Sequence, residues 1–226
     1  MSKLRDRAER EIGPRVIVAA STVTAPARAA AAARRATGRS GRLELYFGFD
    51  DPASAFAVID LARRLEGRKV IFDLLPVVVR GIADDPALER KRIYGVTDGR
   101  RLARRIGLTL SRSEPIDPQQ TAFLAGWAAG APRGAALTRF CVAACSRLWF
   151  ESDGPIGEGR YEELWRECFG AAPFTDEAAV RANEKQMTRR GPYETPAASI
   201  GGRWFFAQDR SAQIADWLDE LGWTVK

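Results

Sequence analysis

The chain has no histidine, only three cysteines and only two methionines in 226 residues. Without histidine there is no Ser-His-Asp or Cys-His mechanism, and the commonest transition-metal ligand is missing. Proton transfer then falls to Asp, Glu, Tyr, Lys or a bound cofactor. Cys141 and Cys145 stand four apart on an expected helix and share one face. They lack the partner ligands of a zinc site, so no metal is expected. They read as two small buried hydrophobic residues. No apolar run approaches the about 20 residues that span a bilayer, so no membrane partner is expected. The basic N-terminus has no apolar core of the kind a secretory signal carries, and Val16 to Ala20 is too short for that role. The expected location is the cytoplasm.

What is present is positive charge, unevenly spread. The net charge is +6, yet residues 1–42 hold 10 Lys/Arg against 3 Asp/Glu, and the remainder holds 25 against 26. The excess belongs to an Ala/Arg-rich N-terminal arm. A nucleic-acid footprint needs a basic face on the folded part, which this balance does not supply. Ala27 to Ala36 is capable of a short helix, because Ala and Arg are strong helix formers.

Beyond the arm, Leu43 to Phe49 reads as a strand that ends at an Asp-Asp-Pro break. Asp51 before Pro52 is a helix-start signature, Asp capping and Pro taking the first helical position. A helix over Ala53 to Leu65 and a strand over Val70 to Leu75 complete a βαβ unit, which implies parallel strands. From 85 to 190 the pattern is helical, with segments at 86–106, 118–130, 133–149, 159–169 and 175–188. Ala197 to Ile200, the turn Gly201–Gly202 and Arg203 to Phe206 form a hairpin, and Ser211 to Leu221 a closing helix. The two halves cannot bury their faces separately, so their strands form one sheet. The expected class is α/β: a thioredoxin-like sheet (βαβ … ββα), residues 43–84 and 191–226, interrupted by an all-helical insertion over 85–190.

Four landmarks then carry a resemblance. They are Tyr46-Phe47-Gly48-Phe49-Asp50-Asp51-Pro52-Ala53-Ser54; Lys91, Tyr94, Asp98, Arg101 and Ala103 at their spacing; Thr195-Pro196; and Gly201-Gly202-Arg203-Trp204-Phe205-Phe206-Ala207-Gln208-Asp209-Arg210. Over roughly 43–226 the chain resembles the 2-hydroxychromene-2-carboxylate isomerase and kappa-class glutathione transferase family of the DsbA-like thioredoxin superfamily. The resemblance implies that Thr195-Pro196 is a cis-proline dipeptide. It implies glutathione or another low-molecular-weight thiol as cofactor, met by Thr195, Pro196, Gln208 and Asp209. It also implies a homodimer acting on a small molecule, with Phe49, Tyr94, Gln120 and Trp127 as pocket residues.

One position departs from the family. Its site serine aligns with Asp51, and a carboxylate beside a thiolate repels it. Ser54, one turn into the helix, remains as a hydroxyl donor. With no Cys at either position, dithiol redox chemistry is excluded. Asp50 reads as a solvated neighbour, and Lys91 with Tyr94 as a helix-surface pair that could face the site. The leading expectation is an isomerase acting on an aromatic or conjugated substrate, with Asp51 and Ser54 catalytic. Three alternatives stand beside it: a cofactor-free acid/base isomerase or lyase using Asp51, a non-catalytic ligand-binding protein in the same fold, and an assembly protein whose basic arm reaches acidic partners.

Overall fold

A computed structural model describes residues 24–82, 84–105, 107–151 and 154–225. The elements run α1 (Ala25–Ala36), β1 (Gly41–Phe47), α2 (Pro52–Leu65), β2 (Val70–Pro76), α3 (Leu88–Arg105), α4 (Pro118–Gly130), α5 (Ala135–Ser146), a π-helical turn (Arg147–Glu151), α6 (Glu158–Phe169), α7 (Glu177–Arg190), β3 (Ala197–Ile200), β4 (Arg203–Phe206) and α8 (Ser211–Glu220). The four strands lie in one sheet in the order β2-β1-β3-β4. β1 pairs in parallel with β2 from Gly41↔Val70 to Phe47↔Pro76. It pairs antiparallel with β3, and β3 with β4.

The alternation of side chains along the strands gives the sheet two faces. Leu43, Leu45 and Phe47 join Phe72, Leu74, Ile200 and Phe205 in the main core beneath α2 and α8. Burying a side chain of this size stabilises by about 1.5–3 kcal/mol. Tyr46, Leu75 and Val77 face the other way, against Met187 of α7 and partly buried Trp204. On that second face Asp73 is fully buried, with Arg42 at 3.0 Å and Arg133 at 3.4 Å.

The first strand starts two residues earlier than the sequence pattern suggests and ends at Phe47. The basic arm expected over 1–42 divides. Residues 1–23 lie outside the described residues. Residues 25–36 form α1, which buries Ala31 and reaches α8 through Arg28–Glu220 at 2.7 Å. The helix expected over 133–149 stops at Ser146 and continues as the π-helical turn.

The insertion is tied to the sheet unit by close contacts with α2. Gly99 of α3 lies against Pro52, where a Cβ would sit 2.9 Å from the proline Cβ. The insertion contributes an aromatic cluster of Phe123, Trp127, Phe140, Tyr161 and Trp165, continuous with the main core. Among the described residues no helix is long and apolar enough to cross a membrane.

Candidate active site

The site begins with a helix cap. Asp51 is extended (φ −117°, ψ 115°), and its carboxylate folds back over the first turn of α2. Its Oδ1 accepts from the Ala53 amide at 3.0 Å, and its Oδ2 from the Ser54 amide at 3.1 Å and the Ser54 hydroxyl at 2.5 Å. The helix dipole favours negative charge at this point. Ser54 is fully buried, and its Oγ also accepts from the Gly48 amide at 3.2 Å.

Far downstream, the Thr195–Pro196 bond is cis. Thr195 reaches across and donates from Oγ1 to Asp51 Oδ2 at 3.4 Å. The Ala207 amide holds the Pro196 carbonyl at 2.8 Å, which fixes this turn to the sheet. Asp51 and Thr195 therefore border one cleft, of about 350 Å³. Its apolar walls include Pro52, Val78, Leu88, Val96, Pro118 and Trp149. Trp149 is fully buried and donates from Nε1 to the Phe49 carbonyl at 2.9 Å.

The polar lining is strongly charged. Arg80 grips Asp50 with both ends of its fork, each at 2.7 Å. Burial alone disfavours the Arg80 charge, but Asp50 outweighs it, and the guanidinium holds its proton more tightly than usual. Asp51 is affected in the opposite way. Desolvation raises its carboxyl above the usual carboxylate range; the Arg80 charge and the Ser54 hydroxyl pull it back, and the Asp50 charge adds to the rise. Lys91 binds Asp85 at 2.5 Å and lies 3.9 Å from Glu194. Arg92 and Gln119 complete the polar lining. The Cys145 thiol of α5 is pushed up by burial and by the Asp51 charge. Among the described residues no cysteine lines the cleft.

Of the residues singled out from sequence, Asp51 and Thr195 meet at the cleft, with Pro196 buried beside them. Ser54 stands behind Asp51 and not on the cleft surface. The rest lie elsewhere. Phe49 is core, edge-on to Phe47, and Trp127 belongs to the aromatic core of the insertion. Tyr94 is 60% exposed and bonds Arg101 at 3.3 Å. The Gln120 side chain caps α4 at the Asp117 amide, and Gln119, one residue earlier, lines the cleft instead. Gln208 and Asp209 are exposed in the turn before α8 and do not line it. Asp50, read from sequence as solvated, is buried, because Arg80 bonds both of its oxygens beside the bare Gly48 backbone. Arg80 and Glu194 carry no motif that marks them. Lys91 does face the cleft.

No family model and no curated protein matches the chain. Solved structures do. The chain is similar to 2-hydroxychromene-2-carboxylate isomerase at a TM-score of 0.60 and 17% identity, over 80% of this chain and 96% of the isomerase. The chain has the DsbA-like thioredoxin fold. A probable DsbA oxidoreductase from Streptomyces coelicolor is similar at a TM-score of 0.55 and 15% identity, over 80% of this chain and 90% of that one. Proteus mirabilis ScsC in a transitional conformation gives 0.50 and 13%, over 97% and 94%. Within this DsbA-like fold the sheet unit supplies Asp51 and Thr195, and α3 and α4 of the insertion close the opposite wall.

Proposed function

We propose that this chain is an isomerase-like enzyme that moves a proton on a small aromatic or conjugated organic substrate, with Asp51 taking and returning it. One observation carries the reading. Asp51 lines the cleft, and its Oδ1 accepts one hydrogen bond while Oδ2 accepts three, which leaves Oδ1 the oxygen with acceptor capacity to spare. A carboxyl raised above its usual range works nearer neutrality as a base, and once protonated it is an acid able to return the proton.

A C–H bond next to a carbonyl breaks, an O–H bond forms at Oδ1, and the electron pair spreads into the conjugated system. Return of the proton at another atom of that system gives the isomer, with nothing oxidised or reduced. Leu88, Pro115 and Pro118, which are not buried, offer apolar surface to the substrate. Arg92, which has no carboxylate partner among the described residues, and the side-chain amide of Gln119 are donors placed for an anionic or carbonyl group.

A thiol cofactor fits this arrangement poorly. The two α2 amides that would hold a thiolate already bind Asp51, and the carboxylate would repel it. The proposed reaction is therefore thiol-free. The second reading, a binding protein without turnover, draws on the same bonds, since an ordinary helix cap makes them too.

Proton NMR in D₂O separates the two. Arylpyruvates, 4-aryl-2-oxobutanoates and aryl-substituted β,γ-unsaturated ketones, each with an sp3 C–H next to the carbonyl, are incubated with the protein without added thiol. The proposal expects saturable deuterium incorporation or double-bond isomerisation in at least one of these classes. If none reacts faster than in buffer alone, the proposal fails.

A further inference from the structure

We infer that the buried Asp50–Arg80 pair is the positioning device that sets how tightly Asp51 holds its proton, and so the pH at which the cleft acts as a base. The inference rests on the reading of Asp51 as the proton-transfer group. Three charged side chains lie together here, two carboxylates and one guanidinium. The fork of Arg80 is spent on Asp50, at 2.7 Å on both oxygens. Asp51 feels the guanidinium only as a neighbouring charge, and its own hydrogen bonds come from α2 and Thr195.

The pair is built in. The side chains of Asp50 and Arg80 are 3% and 16% exposed, so solvent screens them little. A Cβ on Gly48 would lie 2.7 Å from Arg80 Nη1 and 2.8 Å from Asp50 Oδ1, so a side chain there would push the pair out of its present place. The loop that carries Arg80 is held at other points as well. Asn183 donates to the Pro76 carbonyl at 3.0 Å, and Glu184 accepts from the amides of Val78 at 3.0 Å and Val79 at 2.7 Å. The Gly81 amide donates to the Tyr193 carbonyl at 2.6 Å. These bonds fix the loop backbone, and the two bonds to Asp50 hold the guanidinium itself.

The other ionisable groups around Asp51 are Lys91 and Arg92 on α3, Glu194 ahead of β3 and the Cys145 thiol on α5. Lys91 is about half exposed and engaged by Asp85, so it acts at a discount. Arg80 is the buried cation of the set.

The test is a titration of Asp51 itself, followed through the ¹³C shift of its carboxyl in protein labelled at aspartate and assigned by loss of the signal in Asp51→Asn. In Arg80→Gln the midpoint should rise by about one unit, a tenfold tighter hold on the proton. In Asp50→Asn the guanidinium loses its partner, and the midpoint should fall by about as much. In the double variant the two effects should cancel to within about half a unit. Arg80→Lys should restore more than half of the Arg80→Gln shift, because it keeps the charge.

A merely structural pair would loosen the loop, admit water and move all the variants the same way, toward an ordinary carboxylate. Shifts of one sign, or no resolvable shift in any variant, overturn the inference. If Arg80→Gln does not fold, Asp50→Asn and the double variant carry the same contrast. Deuterium exchange that survives Asp51→Asn would remove the proposed function and leave the titration result standing; a common shift would do the reverse.

Discussion

Asp51→Asn should lower turnover by about 10²–10⁴-fold, the range over which a positioned acid–base group acts. The substitution is nearly isosteric, and Asn is a good helix cap. Its carbonyl oxygen can still accept from one of the α2 amides that Asp51 now holds. What is lost is the proton-accepting lone pair. Circular dichroism and thermal melting should report an intact fold, so lost activity cannot be assigned to unfolding.

Stability should carry a second signature in the same variant. Desolvation raises the folded-state value of Asp51 above that of the unfolded chain. The folded state therefore binds more protons than the unfolded state between the two values, and stability falls as the pH rises through that window. Asparagine has no such titration. Relative to the native chain, Asp51→Asn should gain stability as the pH climbs from below about 4 through the raised folded-state value. Urea denaturation at several pH values reads the difference directly. An Asp51 that is only a surface cap predicts the opposite trend, because its carboxylate would be stabilised by the helix and lowered.

Trp149→Ala should cost about 3–5 kcal/mol, the usual range for a fully buried aromatic side chain. Against a total of about 5–15 kcal/mol, that leaves the chain close to unfolding. Trp149 sits in the π-helical turn of the insertion, yet its indole N–H bonds the Phe49 carbonyl in the loop between β1 and α2. Its own carbonyl accepts from the Ser111 amide at 2.9 Å. The residue thus pins the insertion to the loop that carries Asp50 and Asp51. Trp149→Phe should fill most of the space and still cost about 1–3 kcal/mol, because the Phe49 carbonyl is left without its donor. A loss under about 1 kcal/mol for Trp149→Ala in urea would mean that the insertion is not anchored there.

How far this could be read in advance depended on how local each signal was. Asp51-Pro52 specifies a capped helix start within two residues, and it appears as expected. Gly201 and Gly202 both take positive φ, 58° and 78°, as the hairpin between β3 and β4 requires. The split sheet followed from the order of strands and helices alone. Rotation about a helix was less legible. One residue turns about 100° around the axis. The side chain of Gln120 is consumed by its helix cap, and Gln119 reaches the cleft. On α3 the same angular logic turns Tyr94 outward and brings Lys91 and Arg92 to the site.

Least legible was the partnership of Asp50 with Arg80, separated by 30 residues. Neither position carries a pattern, and the pair forms only once the 77–81 loop folds back beside Gly48. Gln208 and Asp209 are a different case. Their segment resembles a family motif, but at this sheet's edge it forms the exposed turn into α8. A motif fixed the local backbone there without bringing its side chains to the cleft.

The most direct measurement compares the initial rate of deuterium incorporation into a reacting conjugated acid in thiol-free buffer and in millimolar glutathione. The account predicts equal rates, since the first-turn amides of α2 are already filled by Asp51. A reaction that appears only when glutathione is added would contradict it.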